Sequence, residues 1–140
     1  MIILCLLLLL ALPSEATDHF YMHGYFDCAL DLFRYHMVIW ERDYWDWDDP
    51  LSHYAPRYSR APHYFEINFE ANGDQQWSTG YDLYARIIHD CNTTNIGKHH
   101  LLLNVELGHY RMGANYTIQT VIPVTDKGEQ TTEIIGRRLV

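Results

Sequence analysis

The chain has 140 residues, a formal net charge of −8, and aromatic side chains at 14% of its positions. This length fits one folded domain and excludes a two-domain protein. The aromatic content excludes an intrinsically disordered chain. The acidic balance would repel a phosphate backbone, so we expect no nucleic-acid partner.

The first 16 residues have the pattern of a secretory signal peptide. Residues 2–12 are all apolar, which suits a signal-peptide core and falls short of the roughly 20 residues that cross a bilayer. Ser14 and Ala16 place small residues where signal peptidase reads them. We therefore predict cleavage after Ala16 and a secreted, extracellular domain spanning residues 17–140. That domain carries 17 acidic and ten basic residues, a net charge of −7, and no second apolar run long enough for a membrane span.

Two of the three cysteines remain after this cleavage. Cys5 leaves with the signal peptide, while Cys28 and Cys91 stay in the mature chain. An even pair in an exported protein predicts one disulfide bond between them. The alternative is a nucleophilic Cys91 beside His89, which an oxidising compartment disfavours.

The first half of the mature chain reads as three strands and one long loop. Residues 19–27 are rich in aromatic side chains, and Gly24 within them indicates a bulge or a close backbone approach. Residues 32–40 are apolar on both faces, which favours the centre of a sheet. Residues 42–62 contain three prolines and read as a loop. Residues 63–70 alternate apolar and polar side chains, as a half-buried strand does.

The second half continues with short strands separated by turn residues. Turn signals stand at residues 72–74 and 126–128, and further loops at 90–97 and 108–114. About seven strands at this density predict an all-β, immunoglobulin-like sandwich. The remaining predicted strands are residues 81–89, 100–107, 116–124 and 131–135.

Several short motifs, in this order and spacing, resemble the nematode transthyretin-like proteins. The resemblance covers residues 24–124, and its most specific part is the strand that ends in His89-Asp90-Cys91-Asn92. It implies a transthyretin-like β-sandwich, secretion, and a binding or signalling role. The other residues that carry it are Gly24, Cys28, Trp40-Glu41, Asp43, Asp48-Asp49, Leu51, Phe65, Tyr84 and Ile87-Ile88.

The chain departs from the family pattern at three places. Many members have a second cysteine where this chain has Lys98-His99-His100, so a second disulfide of that kind is absent. A Gly-Lys-Pro turn after the first cysteine is missing. Leu107-Gly108-His109-Tyr110 replaces an Ile-Pro-x-x-Tyr stretch. The resemblance is therefore to a divergent member.

The most unusual feature of the long loop is its density of aromatic residues. Tyr44, Trp45 and Trp47 lie within four positions and alternate with aspartates. Exposed, they would form a contact patch, because aromatic side chains dominate interface energetics. Buried, they would cap the edge of the sandwich. Both interpretations are consistent with the sequence.

The same segment offers weak calcium ligands. Glu41, Asp43, Asp48 and Asp49 could supply carboxylate oxygens. Their spacing does not match an EF-hand, so a solvated acidic loop is the simpler interpretation. A metal site built on His89, His99 and His100 is a further alternative, but we expect no metal and no cofactor.

Two sequons mark sites for N-glycosylation in an exported chain. They are Asn92-Thr93-Thr94 and Asn115-Tyr116-Thr117. We expect a glycan at one or both of Asn92 and Asn115.

No catalytic motif accompanies these features. The sequence has no serine-triad signature, zinc-binding helix motif or glycine-rich phosphate loop. It also lacks the C-terminal Tyr-Arg-Gly-Ser of the related hydroxyisourate hydrolases, ending instead in Arg137-Arg138-Leu139-Val140. We therefore expect a non-enzymatic binding module for an extracellular or cell-surface protein. The alternatives are an oligomeric carrier of a small apolar ligand and a factor that bridges lipid to a receptor.

Overall fold

The computed structural model describes residues 17–73, 79–96 and 98–136. Within these ranges the chain is all-β, and its strands form the two sheets of a β-sandwich. No helix in these ranges is long and apolar enough to cross a membrane. The strands are β1 (Thr17–Asp27), β2 (Leu32–Glu41), β3 (Asp49–Pro50), β4 (Arg57–Arg60), β5 (Tyr64–Asn72), β6 (Gly80–His89), β7 (His100–Arg111), β8 (Tyr116–Pro123) and β9 (Glu129–Thr131).

The first sheet has three strands in the order β5-β1-β8. β1 pairs antiparallel with β5 and parallel with β8. Gly24 lies at the centre of β1, opposite Phe65 on one side and Thr120 on the other. A Cβ at this position would lie 1.7 Å from the Thr120 carbonyl oxygen. The close approach predicted for Gly24 is confirmed, and it explains why only glycine fits here.

The second sheet has six strands in the order β3-β2-β6-β7-β9, with β4 also paired to β2. β2 lies inside this sheet, as its two apolar faces predict. Met37 and Ile39 point into the core, while Val38 is buried on the opposite face at 9% exposure. A bulge in the pairing of β6 with β7 falls between Leu83 and Tyr84.

The hydrophobic core fills the space between the two sheets. β5 shows the alternation that builds it, because Phe65, Ile67 and Phe69 are buried while Glu66 and Asn68 between them are exposed. Aromatic rings from both sheets interlock in the core. The buried residues of the core are Phe20, Met22, Phe26, Phe33, Tyr35, Met37, Ile39, Phe65, Ile67, Phe69, Ala71, Tyr81, Leu83, Ala85, Ile87, Cys91, Ile118, Ile122 and Val124.

The predicted disulfide is present and joins the two sheets. Cys28 follows β1 of the first sheet, and Cys91 follows β6 of the second. Their Cα atoms lie 6.2 Å apart, and 63 positions separate them in sequence. Cys91 therefore has no thiolate, and the structure contradicts the nucleophile alternative.

The part of the chain that the structure describes contains nine strands rather than the predicted seven. β3 and β4 lie inside residues 42–62, which the sequence predicted as one loop. β7 continues to Arg111, through part of the loop predicted at 108–114. β9 begins at Glu129, earlier than the predicted strand at 131–135, because it pairs with His100–Leu102 of β7. The predicted signal peptide, residues 1–16, lies outside the described residues.

Candidate functional site

The loop between β2 and β3, residues 42–48, presents three large aromatic side chains to solvent. We call it the tryptophan loop. Tyr44 is 72% exposed, Trp45 91% and Trp47 88%. The structure therefore supports the contact-patch interpretation and contradicts the interpretation in which these rings cap the sandwich edge. Two neighbouring indoles at this exposure are unusual, because large apolar side chains are normally covered.

Asp48 closes the base of the tryptophan loop. Its Oδ1 accepts a hydrogen bond from the main-chain N of Asp43 at 3.0 Å, and its Oδ2 accepts one from the Tyr84 hydroxyl at 2.7 Å. Partial burial and the Asp48 hydrogen bond raise the pKa of Tyr84 to about 12, so the hydroxyl stays protonated and donating. The loop is thus tied to β6 of the second sheet.

Two further aspartates order the backbone at the tip of the loop. Asp43 Oδ1 accepts from the main-chain N of Trp45 at 3.0 Å, and Asp46 Oδ1 accepts from that of Trp47 at 2.8 Å. Such local hydrogen bonds satisfy backbone donors that the strand ladder does not reach. The tip therefore has a defined conformation although its rings are exposed.

Arg42 anchors the loop to β7. Its guanidinium donates to both carboxylate oxygens of Glu106, at 3.1 and 2.6 Å, and lies 5.0 Å from the centre of the Tyr84 ring. The Glu106 carboxylate raises the pKa of Arg42, which holds the guanidinium charged. The only basic side chain of the loop is thus engaged by the domain itself.

The four calcium candidates serve the fold in other ways. Glu41 is 4% exposed at the end of β2, where it pairs with Asp49 of β3. Asp43 and Asp48 accept the hydrogen bonds that shape the loop. Among the described residues, no group of three or more acidic, histidine or cysteine side chains could hold a metal ion. The structure therefore does not assemble the calcium site that the sequence allowed.

His89 is a fully buried structural residue next to the disulfide. Its Nε2 donates to the Lys127 carbonyl oxygen at 2.9 Å, and its Nδ1 accepts from the main-chain N of Cys91 at 3.2 Å. Burial lowers the pKa of His89 below its usual value, so the ring is neutral in the fold. Both ring nitrogens are occupied, and His99 and His100 bind Gln130 and the Glu133 carbonyl instead. The three-histidine metal site is contradicted.

The buried neutral His89 predicts acid sensitivity. The unfolded chain, with a histidine pKa near ~6.5, takes up a proton more readily than the fold. The stabilisation that the buried, neutral His89 gives the fold is therefore fully present above pH ~6.5. It is lost as the pH falls below that value. We expect His89→Gln to be less stable at pH 7.5, yet to lose less stability than the wild type between pH 7.5 and 5.5. Urea denaturation at both pH values measures the free energy of unfolding, and His99→Gln, at an exposed position, is the control. If His89→Gln lost as much stability as the wild type between the two pH values, the prediction would be contradicted.

The two sequons differ in accessibility. Asn92 is 5% exposed, and its Oδ1 accepts from the main-chain N of Thr94 and of Asn95 and from the Thr94 hydroxyl. Asn92 is therefore the less accessible of the two asparagines. Asn115 is exposed and immediately precedes β8.

Two open clefts flank residues 50–56. One of about 470 Å³ lies against β1 and β5, with Phe20 and Phe69 in its wall. The other, of about 490 Å³, lies on the outer face of β2 beside Val38 and Trp40. Tyr54 lines both clefts. Its hydroxyl donates to the main-chain O of Asn68 and accepts from the main-chain N of the same residue in β5.

A polar aromatic network on the outer face of the first sheet was not predicted. The Tyr21 and Tyr64 hydroxyls both donate to Glu66 Oε2, at 2.8 and 3.3 Å. The Tyr21 hydroxyl also lies 3.4 Å from the Tyr64 hydroxyl, and its hydrogen bonds with Tyr64 and then with Glu66 raise the pKa of Tyr21. The signal was present in the period-2 pattern, which placed Tyr64 and Glu66 on one face, but the position of Tyr21 required the register of β1 with β5.

Comparisons with known proteins identify no relative that could assign a function. No family model matches the chain, and no curated protein matches it significantly. Among solved structures, a 9R-lipoxygenase from Cyanothece PCC8801 aligns with 83% of this chain at 14% sequence identity and a TM-score of 0.36. The alignment spans 18% of the lipoxygenase chain, so this chain is similar to a small part of that protein.

Proposed function

We propose that this chain is a secreted, non-enzymatic, transthyretin-like binding module that engages an extracellular or cell-surface protein through Tyr44, Trp45 and Trp47. The observation that carries the proposal is the exposure of these three rings, at 72%, 91% and 88%. Clustered exposed aromatic residues mark contact sites, because burying them in a partner releases most of the energy of an interface.

The order of the tryptophan loop supports the same function. Hydrogen bonds from Asp43 and Tyr84 to Asp48 hold the loop before any partner arrives. A pre-formed loop loses little conformational freedom on binding, so more of the contact energy appears as affinity. A loop ordered by the domain and carrying uncovered indoles is suited to recognition.

Secretion and family membership belong to this proposal. The Cys28–Cys91 disulfide suits an oxidising compartment, and residues 1–16 read as a signal peptide.

The test is partner capture by a double variant, Trp45→Ala with Trp47→Ala. Both side chains are exposed, so the free energy of unfolding should change by less than about 0.5 kcal/mol. We expect at least a tenfold loss, roughly 1.4 kcal/mol, of binding to cell-surface and extracellular proteins of the source tissue. The control, Val121→Ala, removes a side chain that is 64% exposed on β8. Capture equal in the double variant and the wild type would overturn the proposal.

A carrier of a small apolar ligand is the second candidate, favoured by the two clefts beside residues 50–56. A carrier that works as an oligomeric channel must assemble. Light scattering on the secreted, glycosylated protein distinguishes the two functions. A tetramer would favour the carrier, and a monomer would favour the binding module.

A further inference from the structure

We propose that the tip of the tryptophan loop, Trp45-Asp46-Trp47, recognises an arginine side chain in a basic segment of the protein partner. This inference rests on the proposed function and adds the chemistry of what the loop binds. It depends on three observations: which carboxylate faces outward, the charge around it, and the rings beside it.

Asp46 is the carboxylate that the tip presents. Both oxygens of Asp48 already accept hydrogen bonds, from Asp43 and Tyr84, and Asp43 Oδ1 accepts from Trp45. Asp46 is exposed. Within the described part of the chain, its one hydrogen bond is from the main-chain N of Trp47 to Oδ1. Its carboxylate can therefore accept from a partner without dismantling the loop.

The charge around the tip favours a cation. Four carboxylates lie between positions 43 and 49, beside the single arginine at position 42. Arg42 pairs with both carboxylate oxygens of Glu106 and lies over the Tyr84 ring, so its charge is already balanced within the domain. An anionic lipid or acidic protein would be repelled by this loop, whereas a basic segment is attracted to it.

The two indoles favour arginine over lysine. A planar guanidinium stacks on an aromatic face and at the same time binds a carboxylate through two N–H groups. Tryptophan is the best ring for such a cation. Trp45 and Trp47 adjoin Asp46 on either side in sequence and are almost fully exposed. Stacking and charge pairing are thus available in one tripeptide.

The experiment titrates the mature, disulfide-bonded protein with three synthetic peptides that differ only in their repeated side chain: arginine, lysine or neutral citrulline. Tryptophan fluorescence and calorimetry report binding. We expect the arginine peptide to bind about tenfold more tightly than the lysine peptide, and the citrulline peptide to bind weakest. We expect Asp46→Asn, which keeps an amide oxygen for the Trp47 N, to weaken arginine binding about tenfold.

The matched control is Glu129→Gln, which removes one exposed negative charge on β9 and should leave the affinity unchanged. Equal binding of the arginine and lysine peptides would overturn the inference. Equal effects of Asp46→Asn and Glu129→Gln on the affinity for the arginine peptide would also overturn it. A third contradicting result would be that the protein binds phosphatidylcholine vesicles and the arginine peptide does not displace them.

Failure of this inference is distinguishable from failure of the proposed function. Partner capture that needs both tryptophans but survives Asp46→Asn overturns the arginine assignment alone. Capture that survives the loss of both tryptophans overturns the proposed function.

Discussion

Replacing Gly24 with alanine is expected to destabilise the fold by more than about 4 kcal/mol, a large part of the total stability of a domain of this size. The added Cβ would lie 1.7 Å from the carbonyl oxygen of Thr120 and 2.8 Å from its carbon. Both are backbone atoms of β8, so no side-chain rotation relieves the clash. β8 pairs with β1 alone in the first sheet, and forcing the two strands apart would expose Ile118 and Ile122 of the core.

The measurement is urea denaturation of the secreted variant, followed by tryptophan fluorescence. Gly113→Ala is the matched control. It has a positive φ of 90° but nothing within 4 Å of the added Cβ, so it tests backbone strain without a clash and should cost about 1 kcal/mol. A Gly24→Ala protein as stable as Gly113→Ala would contradict the observed pairing of β1 with β8.

Removing the disulfide with Cys28→Ala and Cys91→Ala is expected to cost about 4 kcal/mol. The bond closes a loop with a sequence separation of 63, and the chain-entropy model assigns a loop of that length about 4 kcal/mol. The bond also ties the first sheet to the second at one end of the core. Both cysteines are replaced together, so no free thiol remains to form a wrong bond.

Equilibrium denaturation of the double variant, beside wild-type protein with and without reductant, gives the free energy of unfolding. The reduced wild type and the double variant should have the same free energy of unfolding. This comparison separates loss of the disulfide from loss of side-chain packing at Cys91. A difference from the oxidised wild type below about 1 kcal/mol would contradict a stabilising role for this disulfide.

Much of the fold was predictable because most strands carry their own pattern. The alternation of Phe65, Ile67 and Phe69 with polar residues is local, and so is the double-sided apolar character of β2. β3 and β4 were missed because two and four residues hold too little pattern. They form a ladder only where β2 offers an open edge.

The limits of β7 and β9 also depend on contacts that the local sequence does not contain. Gly108 is typical of a turn, yet it lies within β7. The register of the β6–β7 pairing shifts between Leu83 and Tyr84, and the pairing then continues on both sides of this bulge. β9 is short because β7 pairs with it over only three residues.

The candidate site was predictable in its residues but not in its exposure. The alternation of aromatic residues and aspartates is equally compatible with buried and exposed rings. The exposure of the rings depends on a contact distant in sequence. The Tyr84 hydroxyl donates to Asp48, 36 positions away, and this bond holds the base of the loop against β6. The burial of Asn92 was hidden for a similar reason. The sequon motif does not reveal the conformation of the turn that contains it. In the fold, the main-chain N and the hydroxyl of Thr93 both donate to the Asp126 carboxylate, which holds this turn in place.

The most direct test of the central claim is site-specific photo-crosslinking of the mature protein to extracellular and cell-surface proteins. A photoreactive phenylalanine derivative would replace Tyr44 in the tryptophan loop or, as the control, Val121 on the outer face of β8. Both positions are exposed, at 72% and 64%. The proposal predicts a discrete crosslinked partner from position 44, suppressed by unlabelled protein, and none from position 121. Crosslinking from position 121 alone, or equally from both positions, would contradict it.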